Sequence, residues 1–488
     1  MKFIKKIGSR LFSKPKKQSV SAARNQAGGD LDELRYSAED LGIPLSEVSP
    51  AAMLVCETLQ NHGYDGYLVG GCVRDWILGL HPKDFDVATN ATPEQIKPLF
   101  KRARIIGRRF KLVHVHHQRE MIEVATYRSA PSAEKGGKAK ESRQASSHNS
   151  NRRVPRRHQK GGGKSHQQSQ SGRLLRDNVY GTLLDDAERR DFTINGLYLD
   201  PIAGEVVDFQ NGVEDVQDRV LAVIGDPELR FAEDPVRMLR ALRFKAKLDL
   251  HIPDDIDELI HQNKYRFAEV SNARLFDETF KLFHHAHARA SWDVLSEYGF
   301  EKVLFPLTAK AIDAQSDAED FIYRALDNTD RRVGKGLPVI PAFFFAVILW
   351  HPYQHARKNM ENLPRGRAGV YQAADEVYRK QFPTIAIPKR VSGVITEIWD
   401  MQWNLETRRP KFIESILDNR RFRAAYDFLL LRESIGEVDS ELTRWWTEIQ
   451  NKDEAGEAAM IDALPQFNAH KNKGKRRRKP RKPSNQGS

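Results

Sequence analysis

Asp84 and Asp86 sit one residue apart between the short apolar segment Tyr67–Val69 and a helix-prone stretch that begins at Thr92. In an extended chain residues i and i+2 share a face. The spacing therefore predicts a strand whose Phe85 points into the core while both carboxylates project into a cleft. An all-oxygen site of that kind suits Mg²⁺ or Mn²⁺. Just upstream, Gly70-Gly71 lies between Tyr67–Val69 and the helix-like segment Val73–Leu78. A glycine pair at a strand-to-helix turn lets backbone N–H groups approach phosphate oxygens. Arg74, on the first turn, adds a charge-assisted donor. Singly, each feature has a plainer explanation, since D-x-D pairs and Gly-Gly turns are common at surfaces. Joined as strand, Gly-Gly, helix and D-x-D, they predict nucleotidyl transfer.

The elements that must position these residues are legible on both sides. Ala51, Met53, Leu54, Val55, Thr58 and Leu59 form a helical stripe, with order expected from about Pro44, and a turn at Gly63–Gly66 leads into the first strand. Thr92 is a candidate N-cap, with Pro93 at the first helical position and Gln95 three residues after the cap, and the helix is expected to run to about Phe100. Arg104–Gly107, Lys111–His116 and Met121–Tyr127 read as strands. On the last of these Glu123 has two readings, a third carboxylate facing Asp84 and Asp86 or an ion-pair partner of a neighbouring Arg.

The stretches LVGGCVRD, KDFDVATNATPEQI, EVATYR, RRDFTINGLYLDP and EDPVRMLRALRF together resemble the head and neck of the class II nucleotidyltransferases, which include bacterial poly(A) polymerases and tRNA CCA-adding enzymes. The resemblance spans Tyr67–Phe244, and ARLFDETFKLF, IPKR and FRAAYDFLLLR extend it downstream toward the poly(A) polymerases. Ile105–Val115 is similar to the segment that marks poly(A) polymerases within the class; CCA-adding enzymes are usually less basic there. The resemblance implies an α+β fold: a small mixed-sheet nucleotidyltransferase head, an all-helical neck and body, and disordered basic tails. It also implies that Asp84, Asp86 and Asp191 are catalytic. Metal would be held by Asp84 and Asp86 with Asp191 or Glu123, and Gly70, Gly71 and Arg74 would steer the triphosphate. Arg189, Arg190 and Asn195 would line the cleft and hold sugar or phosphate. Asp234 and Arg237 would present hydrogen-bonding edges to adenine; three residues apart, they equally suit a plain helical ion pair. Asp234 is also a candidate N-cap, with Pro235 at the first helical position.

The implied reaction is attack of an RNA 3′-hydroxyl on the α-phosphate of ATP, supported by two Mg²⁺ ions. CCA addition to tRNA is the near alternative. A non-catalytic RNA-binding protein on the same fold is the distant one, which the intact carboxylate set argues against.

Of 488 residues, three segments hold the basic excess: 1–17 with seven Lys/Arg and no acid, 131–164 with ten against two Glu, and 470–488 with nine and no acid. The net charge is +12, so the rest of the chain is net acidic, and the basic segments read as RNA-holding or anchoring arms. The expected organisation is a leader and linker over 1–46, a head over 47–212 interrupted by a basic insertion at 129–172, a neck over 213–270, a helical body over 271–467 and a tail over 468–488. His148, His158 and His166 of the insertion lack metal-like spacing. Trp445 and Trp446 read as core or as RNA-stacking aromatics.

Cys56 and Cys72 are the only cysteines, which excludes a disulfide framework and fits a reducing cytoplasm. No apolar run approaches the ~20 residues of a membrane span. Phe3, Ile4, Ile7, Leu11 and Phe12 among lysines read either as an interfacial helix, giving peripheral membrane contact, or as a disordered leader. The expected partners are ATP and the 3′ ends of mRNA, small RNAs and decay intermediates, with room for RNA-decay proteins. A monomer is expected.

Overall fold

A computed structural model of the chain describes residues 33–107, 111–129, 179–314 and 316–464. The leader, the insertion beyond Ser129, the tail and Arg108–Phe110 lie outside the described residues. The chain divides into two compact units, one reaching to Leu282 together with Ala290–Val303, the other made of Phe283–Arg289 and the residues from Leu304 on.

The first unit is built on an eight-stranded sheet. Its strands are β1 (Leu34–Ser37), β2 (Tyr67–Val69), β3 (Asp86–Thr89), β4 (Ala103–Ile106), β5 (Leu112–His117), β6 (Glu120–Thr126), β7 (Leu197–Asp200) and β8 (Glu205–Asp208). The order is β1-β8-β7-β2-β3-β6-β5-β4. Only β3 and β6 run parallel, with Asp86 opposite Glu123; the other pairs are antiparallel. β1 falls inside the segment expected to be a linker. It is a short edge strand held by β8.

The helices of the unit begin where their caps dictate. α1 (Pro50–Asn61) starts at Ser49, whose hydroxyl accepts from Ala52 N–H, and buries Ala51, Ala52, Val55, Cys56 and Leu59. α2 is Gly71–Ile77. α3 (Pro93–Leu99) carries the full capping box: Gln95 N–H donates to the Thr92 hydroxyl and Thr92 N–H to the Gln95 side chain. α4 (Leu183–Glu188) repeats the device with Thr182 and Asp185. It ends at Glu188, so the motif Arg189–Asn195 is a loop and a short 3₁₀ turn. α5 (Gly212–Gln217), α6 (Pro227–Glu233) and α7 (Val236–Leu248) follow. The core of this unit includes Leu68, Val87, Val124, Ile194, Leu197 and Leu199, all fully buried.

The second unit is helical among its described residues. Trp399 stacks on Tyr353 at 4.3 Å between ring centroids and donates its indole N–H to the Ala346 carbonyl. Trp446 is fully buried and donates to the Leu405 carbonyl, which makes it a core residue; Trp445 is half-buried beneath Arg408. Helix Pro341–Ile348 ends at Ile348, and a second one, Trp350–Asn359, begins two residues later. Among the described residues no helix is long and apolar enough to cross a membrane.

Candidate active site

β2 ends at Val69, and Gly70 turns the chain with φ +74°, a conformation open essentially to glycine. A Cβ at Gly70 would come 3.5 Å from the Arg190 guanidinium and the Asn195 carbonyl, and one at Gly71 would come 3.5 Å from Arg74. The glycine pair, Arg74, Arg190 and Asn195 thus lie together in the structure.

Asn195 ties the group into one network. Its Oδ1 accepts from Arg74 Nη1 at 2.7 Å, its Nδ2 donates to Asp191 Oδ1 at 3.1 Å, and its backbone carbonyl accepts from Arg190 Nη1 at 3.2 Å. Arg74 also grips Asp75 through Nε at 2.8 Å. Arg190 is held from behind: its Nη2 pairs with Asp186 Oδ2 at 2.9 Å, and its Nε donates to the Tyr198 hydroxyl at 2.9 Å. That hydroxyl in turn donates to Asp186. Arg190 is therefore pinned and charged.

The carboxylates differ sharply in their surroundings. The strand begins at Asp86, not before it, so Asp84 precedes the sheet, and Phe85 is half-buried against Trp76 at 5.6 Å between centroids. The reason is that β2 turns away at Gly70, while β6 offers Asp86 its first partner at Glu123. Asp84 and Asp86 accept no hydrogen bond from any described residue, and both are exposed. Asp86 keeps access to solvent, yet nearby protein displaces part of its water, and its carboxyl is pushed up to about 6. Burial is the main cause; Glu123 and Asp84 add to it, while Arg190 opposes it. Glu123 stands beside Asp86 in the parallel register, and its carboxylate lies 3.2 Å from Nε2 of His114, its cross-strand neighbour, rather than against an Arg.

Asp191 is already engaged. Its Oδ2 takes Arg240 through Nε at 2.6 Å and Nη2 at 2.5 Å, and its Oδ1 accepts from Asn195 and the Phe192 N–H. Burial would raise this carboxyl, but Arg240, Asn195 and the backbone N–H outweigh it and hold it below the ordinary carboxylate range. The structure thus makes Asp191 the anchor of the Asn195 network and places Glu123 beside Asp86.

Asp234 and Arg237 do not pair. α7 begins at Val236, so Asp234 lies outside it and closes α6 instead. The Asp234 carboxylate takes Arg274 at 2.6 Å and Val236 N–H at 3.3 Å, whereas Arg237 pairs with Glu233 at 2.7 Å. The helical ion pair is corrected accordingly, whereas the N-cap stands: Asp234 is extended, Pro235 is already helical, and the Asp234 carboxylate accepts the Val236 N–H.

Two residues went unnoticed in the sequence. Arg243 and Lys247 continue the spacing of Arg237 and Arg240 along one face of α7, and that i, i+3, i+4 repeat was the available signal. The Arg243 guanidinium lies over the Phe244 ring and donates no hydrogen bond to any described residue. Its pKa is pushed down to about 10 by burial, then by Arg240 and Arg74. Lys247 is likewise lowered by burial and by Arg74, Arg243 and Lys83, despite Asp75 at 3.9 Å. Cations crowded at this cost are matched to an anion. With open carboxylates in the same unit, the arrangement suits a metal-bound polyphosphate.

Comparison with known proteins follows the same lines. Three family models match: the Poly A polymerase head domain over residues 66–222, a probable RNA and SrmB-binding site of polymerase A over 249–312, and the polymerase A arginine-rich C-terminus over 363–483. The chain is 36% identical over 451 residues to the poly(A) polymerase I of Salmonella typhimurium, covering 91% of each. It is 38% identical over 425 residues to that of Haemophilus influenzae, covering 86% of this chain and 88% of the relative. A CCA-adding enzyme of Lactobacillus helveticus is 31% identical over 250 residues, 51% of this chain. Among solved structures, the Thermotoga maritima CCA-adding enzyme complexed with tRNA shares the fold at a TM-score of 0.51 and 17% identity, covering 89% of this chain and 91% of that one.

Proposed function

The chain belongs to the bacterial poly(A) polymerase family of nucleotidyltransferases, and from that premise we propose that it is a template-independent polymerase transferring AMP from ATP to RNA 3′ ends. The observation that carries the reading over CCA addition is its extent. Sequence similarity to the poly(A) polymerases I of several bacteria runs across 86–92% of the chain, whereas that to three CCA-adding enzymes covers 50–59%, although the fold is shared over 89% with one of known structure.

The residues present fit a divalent metal. Asp84 and Asp86 keep all their lone pairs unused, and the mutual repulsion of Asp84, Asp86 and Glu123 is the kind a cation relieves. Asp84 and Asp86 would hold it, with Glu123 assisting from the next strand. Once bound, Mg²⁺ supplies Lewis acidity toward the α-phosphate and lowers the pKa of the attacking hydroxyl. Everything else falls to the chain's own side chains. Arg243, Lys247 and Arg74 offer the triphosphate a desolvated cationic wall. Arg190, fixed by Asp186 and Tyr198, sets one cationic edge of the cleft near Asp86. Asn195 keeps Arg74, Arg190 and Asp191 in register. For Asp234 and Arg237 to read adenine, each exchanges its present partner, Arg274 or Glu233, for an edge of the base.

RNA is held mainly through phosphates, so binding falls steeply with salt. The match over residues 249–312 supports RNA contact there and a protein partner on the same segment. The cytoplasmic reading rests on the two cysteines, both free and buried.

The test is primer extension with Mg²⁺, a labelled RNA and each of ATP, CTP, GTP and UTP separately, beside an Asp84→Ala, Asp86→Ala variant. A long ladder with ATP that the variant fails to make supports the reading. Equal use of CTP, or activity retained by the variant, overturns it.

A further inference from the structure

Apart from the catalytic carboxylates, one cluster in the second unit has the composition of a metal site. Asp317, His351 and Glu437 each present one ligand atom, and these three atoms lie within 4.8 Å of one another. Ligands of one cation at about 2.0–2.2 Å stand roughly 3–4.4 Å apart, so small side-chain adjustments close the set. Acidic residues near a histidine are common without an ion, and it is the histidine that distinguishes this group. His351 is 5% exposed, and its Nε2 is buried without a hydrogen-bond partner, 3.6 Å from Glu437 Oε1. An unsatisfied buried nitrogen facing two carboxylates is a costly arrangement unless something binds between them.

The carboxylate beside it is braced from behind. Glu437 Oε2 takes Arg432 Nε at 2.8 Å, and the Trp350 indole N–H bridges both oxygens at 3.1 Å. Arg432 is itself fixed by Glu406 at 2.6 Å and by Gln402. Gln354 Nε2 also reaches both oxygens, at 3.3 and 3.4 Å, so Oε1, the oxygen nearest His351, shares neutral donors with Oε2 but lacks the charged Arg432 contact and is the less committed one. Outer hydrogen bonds that orient a ligating carboxylate in this way are typical of built metal centres. Asp317 is exposed, and it supplies both the third ligand and a route of entry.

We propose that Asp317, His351 and Glu437 form a second divalent-metal site, distinct in chemistry from the all-carboxylate catalytic one and selective for a borderline transition ion, Zn²⁺ in the first instance, over Mg²⁺. The imidazole sets the selectivity, since Mg²⁺ prefers oxygen donors and Zn²⁺ accepts nitrogen and oxygen together. The ligands come from helix Ser316–Gly334, helix Trp350–Asn359 and the turn after helix Phe422–Ser434. A bound ion therefore clips three separate elements of this unit together and stabilises it by linkage.

The experiment uses the full chain, stripped with chelator and dialysed against micromolar Zn²⁺ in the presence of millimolar Mg²⁺, with bound metal counted by mass spectrometry. His351→Gln, Asp317→Asn and an Asp84→Asn, Asp86→Asn variant are run in parallel. The expected result is about one more Zn²⁺ per chain in the wild type and the catalytic variant than in His351→Gln or Asp317→Asn, together with a Zn²⁺-dependent rise in melting temperature that the two body variants lack. Asp317 is at the surface, so its variant folds even if His351→Gln does not. Zn²⁺ content unchanged by Asp317→Asn and by a folded His351→Gln overturns the proposal, as does loss of the ion only in the catalytic variant.

Discussion

Replacing Arg240 by leucine tests whether Asp191 is an anchor held by its ion pair. In the wild type two guanidinium nitrogens meet Asp191 Oδ2 at 2.5 and 2.6 Å, while Oδ1 keeps Asn195 and the Phe192 N–H. The Arg240→Leu substitution removes both donors from Oδ2 and leaves a carboxylate only 11% exposed. Deleting one partner of a fully buried pair costs about 3–5 kcal/mol. Arg240 retains 30% exposure, so the expected loss is smaller, about 2–4 kcal/mol. The pH dependence has a defined sign. Asp191 in the folded wild type titrates below its ordinary value, so the pair stabilises the fold above the unfolded carboxyl pKa, and this is lost as pH falls through the folded value. In Arg240→Leu only Asn195 and the Phe192 N–H still oppose burial, so the carboxyl rises, and the deficit is largest at pH 7–8 and shrinks as Asp191 protonates in acid.

Because the chain has two units, amide hydrogen exchange is a better assay than a single melting curve. The Ile224 N–H bonded to the Asp191 carbonyl and the Thr193 N–H bonded to the Ala222 carbonyl report on this site. Their protection should fall roughly 30- to 1,000-fold at pH 7.5 and by less at pH 5, each corrected for intrinsic rates. Protection within threefold of wild type, or an equal deficit at both pH values, would refute the reasoning.

Three further outcomes are expected. Asp86→Asn should cut nucleotidyl transfer by at least about a thousandfold, yet leave the melting temperature at pH 8 equal or higher, because the carboxyl it removes is pushed up to about 6 and costs stability when ionised. Arg243→Gln should raise the KM for ATP about tenfold or more, by loss of a charge-assisted contact, with a smaller change in kcat. Stability should hold or rise, since a guanidinium pushed down to about 10 is one the fold pays to keep charged; steady-state kinetics and calorimetry check both. Gly70→Ala should destabilise the first unit by about 1–3 kcal/mol through its φ of +74° and lower activity by shifting Arg190, read by melting and primer extension.

What the sequence disclosed and what it hid divide along a physical line. The Thr92 capping box, the Gly70 turn and strands β4–β6 depend on neighbours within a few residues, and they stand where local chemistry puts them. Glu123 left two readings open because its position beside Asp86 depends on parallel pairing across more than thirty residues. Asp84 was expected inside a strand, but a strand exists only where a partner runs alongside, and β2 leaves at Gly70. Asp234 and Arg237 were placed on one helix face, a step valid only if both lie in the helix, which begins at Val236. The link from Asp191 to Arg240 joins residues far apart in sequence, and no periodicity reveals such a contact. β1 escaped notice because four residues at a sheet edge carry too little alternation to stand out from a linker.

The central claim is that this chain grows an adenosine tail on RNA and does not complete tRNA ends. It is tested most directly by offering one reaction two acceptors, a generic RNA ending in A and a tRNA lacking its CCA end, with ATP and CTP together and the products resolved by length. The account predicts long adenosine ladders on the generic RNA that ATP alone sustains. Addition confined to the tRNA and halting after two C and one A would contradict it.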